Sequence, residues 1–141
     1  MAYTWDKDLE TGYVLVDNQH RQLIMLVNDL QVSIVQGKGV DEIKGTVEFL
    51  RFYVIRHFED EENLQLKFGY GDYYEHVARH REFKLRVNEL ATRLYKEGPS
   101  PELVEEISEC VGDWLVNHIK GDDLKMAAYI RTHSTPSAPT F

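Results

Sequence analysis

The chain carries six histidines, and five of them fall where a helix would turn them inward. After Asp41, the positions Ile43, Val47, Leu50, Val54, His57, Glu61, Leu64 and Phe68 alternate by four and three residues, the spacing of one helical face. His57 and Glu61 therefore occupy core positions. The next segment repeats the pattern through His76, His80, Phe83, Val87, Leu90 and Leu94. The stripe His20, Leu23, Val27, Leu30, Ile34 opens on a histidine, and Val104, Ile107, Val111 and Trp114 lead to His118. Four segments each send at least one imidazole toward a common interior.

A carboxylate among apolar positions costs on the order of several kcal/mol unless it is neutralised, paired or bound to a metal. Histidine is the commonest metal ligand, and two imidazoles four residues apart on one helix reach a single ion. His76 and His80 have that spacing, and His57 with Glu61 offers a nitrogen and an oxygen in the same way. A lone histidine on an apolar stripe is more often a hydrogen-bonded core residue, and a lone H-x-x-x-H is hardly more specific. Five on the inner faces of four helices, around a buried acid, point to a metal centre. His133 has no partner at helical spacing and is assigned no role. Glu59, Asp60 and Glu62 read as a solvated acidic edge, and Cys110 as a small helix residue.

The elements that must hold these groups are set by three breaker clusters: Gly37-Lys38-Gly39, Gly69-Tyr70-Gly71 and Gly98-Pro99-Ser100-Pro101. They predict helices over 18–36 with Asp17 as N-cap, 42–68 with Asp41 as N-cap, 73–97 after Asp72, and 101–131 with Pro101 in the first turn. Short connections make neighbours antiparallel, so the expected fold is all-α, an up-down-up-down four-helix bundle. Residues 1–17 form an N-terminal arm with Trp5, Leu9, Tyr13, Leu15 and Val16 to pack, residues 18–131 the bundle, and residues 132–141 a flexible tail.

A length of 141 residues fits one domain, expected as a monomer. The formal charge of −8 repels phosphate backbones and anionic lipid, which argues against nucleic acid and membrane surfaces as partners. No apolar run is long enough to span a bilayer, and the start has no basic stretch leading into an apolar one. The lone Cys110 cannot form an intrachain disulfide. A cytoplasmic location is expected.

With Asp17-Asn18-Gln19 before His20, H-F-x-x-E-E from His57 to Glu62, H-x-x-x-H at His76 and His80, W-L-x-x-H-I from Trp114 to Ile119 and H-x-x-x-x-D from His118 to Asp123, the chain resembles the hemerythrins, bacterial ones in particular. The resemblance covers about residues 3–130 and implies a non-haem centre of two iron ions, cycling between ferrous and ferric, with a bridging oxo or hydroxo group. It assigns His76, His80 and His118 to one iron, His20 and His57 to the other, and Glu61 and Asp123 as bridges. One coordination position then stays open on the iron with two histidines. The implied function is reversible dioxygen binding without turnover, for storage, sensing or delivery to an oxygen-using enzyme. Leu23, Phe58, Trp114, Leu115 and Ile119 are nominated as the apolar wall of the dioxygen pocket.

Three points complicate that picture. Gln65 stands where the family often has methionine, and Met126 where it often has tyrosine, so a polar amide is expected near the pocket. Five residues from His118 to Asp123 turn an ideal helix by about 500°, leaving the two about 140° apart unless the helix widens to a π-type turn near Gly121. The competing readings are a di-iron redox enzyme that scavenges peroxide, nitric oxide or dioxygen, and a structural bundle holding zinc. The chain lacks the paired E-x-x-H of carboxylate-rich oxidases and the H-E-x-x-H of zinc peptidases.

Overall fold

The computed structural model describes residues 2–133; the tail expected to be flexible lies, from residue 134 on, outside the described residues. Helices α1 (Val14–Val32), α2 (Val40–Lys67), α3 (Tyr73–Glu97) and α4 (Pro101–His118) form the bundle, and α4 continues through a π turn (Ile119–Asp123) into α5 (Leu124–Thr132). Helix α1 packs on α2 and α4, and α3 packs on the same two, which closes the ring expected for up-down-up-down order. The interior is the predicted stripes: Leu23, Val27 and Leu30 face Ile43, Val47, Leu50 and Val54, with Val87, Leu90, Leu94, Val104, Ile107 and Val111 completing one continuous core. No helix among the described residues is long and apolar enough to cross a membrane.

Two helix starts differ from the sequence expectation. Helix α1 begins at Val14, four residues before Asn18, and Asp17 lies in its first turn. The Asp17 carboxylate accepts hydrogen bonds from Thr11 N (2.8 Å), Thr11 Oγ1 (2.8 Å) and Gly12 N (3.2 Å). It caps the arm's loop and not its own helix, because its backbone N–H is already bonded to Tyr13 O. Helix α2 begins at Val40 with Gly39 as cap, which leaves Asp41 inside the first turn, where its charge favours the helix N-terminus. The chain from Ser33 to Gly37 is hydrogen-bonded turn, so α1 also ends short of Gln36. At α4 the expectation holds: Ser100 Oγ accepts from Leu103 N, with Pro101 in first position.

Helix α2 ends in a Schellman motif that bears on the site. Tyr70 N donates to Gln65 O (2.9 Å) and Gly69 N to Leu66 O (3.3 Å), with Gly69 at φ 66°. The turn folds Tyr70 and Phe68 back over the end of the bundle, where they form a second apolar cluster with Met126 and Ile130.

The arm packs on the bundle through Tyr3, Trp5 and Leu9, whereas Leu15, expected to pack with it, lies exposed on α1. Leu9 is buried in the main core and Trp5 lies under the Arg21 guanidinium at 4.7 Å. Tyr3 exchanges two 2.8 Å hydrogen bonds with the Asn28 side chain and donates its hydroxyl to Asp113 at 2.7 Å. Its ring lies on Gly112, where an added Cβ would sit 2.2 Å from two ring atoms. Gly112→Ala is therefore expected to lift Tyr3 off α4 and cost about 1–3 kcal/mol by overpacking. Urea unfolding and protease cleavage before residue 13 would measure it; an unchanged midpoint with an uncut arm would refute the prediction.

Candidate metal centre

All seven residues proposed as ligands from sequence meet at one buried point. Two subgroups share the carboxylates: Glu61, His76, His80, His118 and Asp123, and His20, His57, Glu61 and Asp123, with the candidate ligand atoms of each subgroup within 4.8 Å of one another. Helix α1 supplies His20, α2 supplies His57 and Glu61 one turn apart, and α3 supplies His76 and His80. His118 closes α4, and Asp123 ends the π turn. That turn is the widening the spacing required. Leu124 N bonds to Ile119 O, an i to i−5 bond, so one extra residue fits in the turn and Asp123 comes round to the side of His118, 3.2 Å away.

The oxygens divide between the subgroups. Glu61 Oε1 lies 2.9 Å from His76 Nε2, 3.1 Å from His80 Nε2 and 3.7 Å from His118 Nε2. Glu61 Oε2 faces His57 Nε2 at 3.1 Å and His20 Nε2 at 3.6 Å. Asp123 repeats the split, with Oδ1 3.1 Å from His76 and Oδ2 3.0 Å from His20. Each carboxylate thus offers one oxygen to a group of three imidazoles and one to a group of two.

The imidazoles are held from behind. His80 Nδ1–H donates to Glu62 Oε2 at 2.7 Å, and His57 Nδ1–H to Gln19 Oε1 at 2.7 Å. Gln19 Nε2 in turn donates to Asp60 Oδ2 at 2.7 Å. His118 Nδ1 is 2.7 Å from Asp122 Oδ2, an ion-pair contact off the line of a hydrogen bond. Fixing the proton on Nδ1 leaves the Nε2 lone pair facing inward, the arrangement that orients a metal-binding imidazole. Glu62 and Asp60 are thus no plain solvated edge, although Glu59 is exposed as expected. Sequence reasoning passed over Asp122 too, despite the His118–Asp122 spacing of four.

Two of the apolar residues nominated from sequence, Phe58 and Trp114, stack on imidazoles of the cluster. Phe58 stacks flat on His80 (3.7 Å, 1°), Trp114 stacks on His118 (4.3 Å, 17°), and Phe83 stacks on Trp114 (4.0 Å, 10°). Leu23, Leu115 and Ile119 are buried members of the main core, so each also packs as an ordinary core side chain. His133 lies apart, stacked on Tyr129 at 4.0 Å.

The donor set fits a pair of metal ions. His20 Nε2, His57 Nε2, Glu61 Oε2 and both oxygens of Asp123 are buried without a hydrogen-bond partner, a concentration of unmet polar atoms that folded proteins otherwise avoid. His118 Nε2 lies 2.9 Å from His76 Nε2 and 3.0 Å from His80 Nε2. Nitrogens about 2.1 Å from one ion lie about 3.0–3.4 Å apart, so these three rings are close enough to share an ion.

Without metal, the carboxylates stabilise protons on the imidazoles. Burial opposes charge at His20, His76 and His118, but Asp123 and Glu61 outweigh it, pushing His20 and His76 up to about 9 and, with Asp122, His118 up to about 12. At His57 burial prevails and lowers the pKa. Glu61 and Asp123 are held below the usual carboxylate range, the imidazoles outweighing the burial that opposes ionisation and, at Asp123, the repulsion from Glu61 as well.

Histidines raised in the folded state stabilise fully below the unfolded value of about 6.5 and lose that contribution as pH climbs through their folded values; lowered acids contribute above about 4. His57, lowered, works the other way and costs stability below about 6.5, so the metal-free protein should melt highest near pH 6 to 6.5 and fall toward pH 10. Metal addition near neutral pH should release protons. Melts of chelator-treated protein from pH 4 to 10 test this, and a melting point that rises from pH 6.5 to 9 would contradict it.

A four-helix bundle with a buried, two-part histidine–carboxylate cluster is the class that fold and site define. The family model for the Hemerythrin HHE cation binding domain matches residues 11–130, and the chain belongs to the hemerythrin family. It is 34% identical to a bacteriohemerythrin of Pseudomonas aeruginosa over 84% of this chain and 75% of that one. It is 30% identical to a myohemerythrin of Theromyzon tessulatum, over 87% of this chain and 89% of the relative. A solved structure of a leucine-to-phenylalanine mutant superposes with a TM-score of 0.82 at 28% identity, covering 92% of this chain and 98% of that one.

Proposed function

We propose that this chain binds dioxygen reversibly at a non-haem di-iron centre. His76, His80 and His118 would hold one iron, His20 and His57 the other, and Glu61 and Asp123 would bridge them, with an oxo or hydroxo group completing the pair. The observation that carries the reading is the division of both carboxylates, one oxygen toward three imidazoles and the other toward two. When bound, the ion pair supplies two electrons to dioxygen and takes them back on release. Any position left open would be on the side of His20 and His57, which have one imidazole fewer to offer.

The protein's own contribution is to bind, orient and exclude water. Glu62 and Gln19 hold the outer protons of His80 and His57, so those rings present Nε2 in one fixed orientation. Phe58, Trp114, Leu115, Ile119 and Leu23 would form the dioxygen pocket, with no hydroxyl or ammonium group to deliver a proton. Reversible binding needs that dryness, because a proton delivered to reduced oxygen commits it to leave as peroxide. Storage, or delivery to an oxygen-using enzyme, suits a carrier without turnover; sensing would require a separate partner. The chain would act in the cytoplasm as a monomer, and not as an enzyme.

One observation favours a second reading, a di-iron redox enzyme that consumes peroxide, nitric oxide or dioxygen. Gln65 is fully buried one turn from Glu61, and its amide oxygen has no partner. The two readings separate on dioxygen stoichiometry. The carrier takes up one dioxygen per two irons after anaerobic reduction and returns it under argon. Consumption beyond that ratio, without return, would establish the enzyme instead.

A further inference from the structure

The two departures from family usage, Gln65 and Met126, touch each other. Gln65 Nε2 lies 3.2 Å from Met126 Sδ, and both side chains are wholly buried. A thioether accepts hydrogen bonds and has no proton to give, so the amide nitrogen must face the sulfur. That fixes the amide, and Gln65 Oε1 becomes an acceptor with no donor among the described residues. Its backbone oxygen is already taken by Tyr70 N in the helix-ending turn. Phe68, Tyr70 and Ile130 pack around Met126 on the outer side.

Three outer imidazole nitrogens of the cluster are committed elsewhere. His57 Nδ1 faces Gln19, His80 Nδ1 faces Glu62, and His118 Nδ1 faces Asp122. Among the other unmatched atoms, Glu61 Oε2 and the Asp123 oxygens are acceptors as well, and His20 Nδ1, which could donate, has no acceptor within reach, Gln65 Oε1 included. What satisfies acceptors beside a cation pair is an oxygen that binds the cation through its lone pair and turns its proton outward.

We propose that Gln65, its amide held by Met126, forms a site for one protonated oxygen ligand, water or hydroxide, beside the metal cluster. The proposal rests on the di-metal reading of that cluster. Along α2, Phe58 precedes Glu61 by three residues and Gln65 follows it by four; along α4 and α5, Leu115 precedes His118 and Met126 follows Asp123. At about 1.5 Å per residue, the cluster lies between an apolar layer on one axial side and the Gln65–Met126 layer on the other. A ligand on the apolar side meets no side-chain acceptor for its proton among Leu23, Phe58, Trp114, Leu115 and Ile119. One on the Gln65 side keeps its proton close to the cluster, which gives reduced oxygen a route to protonation and sets how fast the oxygenated protein autoxidises.

The test compares iron-loaded wild type with Gln65→Met, which removes the acceptor, and Met126→Leu, which keeps it. Iron content, autoxidation rate in H2O and D2O, and a high-resolution crystal structure are the readouts. Gln65→Met should retain two irons, slow autoxidation by on the order of tenfold to a hundredfold and lose most of the solvent isotope effect, with Met126→Leu, which keeps the acceptor but frees the amide to turn, falling between that variant and wild type. In the wild-type crystal, an oxygen atom should lie within hydrogen-bond distance of Gln65 Oε1. Unchanged rate and isotope effect in a fully loaded Gln65→Met protein would overturn the proposal. So would a crystal with a protein donor on that oxygen, which also decides the case if the variant fails to load. A wild-type protein that binds no metal pair would instead sink the reading beneath it.

Discussion

Glu61→Gln is expected to empty both metal positions while the helices remain. Glu61 is fully buried and its two oxygens face different imidazole groups, so the substitution removes one ligand and one negative charge from each half of the site at once. Gln matches the carboxylate in shape, but its NH2 would face an imidazole Nε2 meant for a cation. The metal-free variant also loses a partner from a buried ionic network, at a cost of about 3–5 kcal/mol, against a total stability of about 5–15 kcal/mol for a domain. Iron analysis should fall from two per chain to well below one, and the gain in melting temperature on metal addition should vanish. Far-UV circular dichroism should stay helical, because the main core from Leu23 to Val111 does not include Glu61. Two irons retained by the variant would mean that Glu61 is no bridge.

His57→Ala is expected to separate the halves. The two-imidazole group would keep only His20, whereas His76, His80 and His118 still converge with 2.9 Å and 3.0 Å between His118 and its neighbours. The variant should hold one iron tightly and lose the other on dialysis, and with it the ability to take up dioxygen. His80→Ala provides the contrast, since it leaves two imidazoles in each group and should weaken the opposite half. Equal loss of both irons in His57→Ala, or equal retention, would contradict the division of ligands.

Legibility from sequence tracked how local each feature is. The four stripes and the five inward histidines were readable because a helix repeats its face every three or four residues, and the structure buries all five histidines and most of the stripes, with Ile34, Leu64 and Trp114 partly buried at their edges. Asp123 was not reachable that way: on a straight helix it faces away from His118, and the family resemblance supplied it together with the need for a wider turn. The π turn at Ile119–Asp123 resolves the conflict. Asp17 misled because a residue suited to capping a helix served the preceding loop instead. Glu62 and Gln19 were hidden because their partners lie on other helices, and nothing in a run of acids marks which one turns inward. Gln65 and Met126 stood out singly, but their contact spans 61 positions of chain and only the folded bundle brings them together.

The most direct test of the proposal that the chain is a di-iron carrier is iron content combined with visible absorption of the anaerobically reduced protein, before air, in air and after the air is removed. Two irons per chain and an absorption band that appears with air and disappears on deoxygenation are the predicted results. A preparation that holds no iron pair, or one whose band forms once and never reverses, would contradict the account.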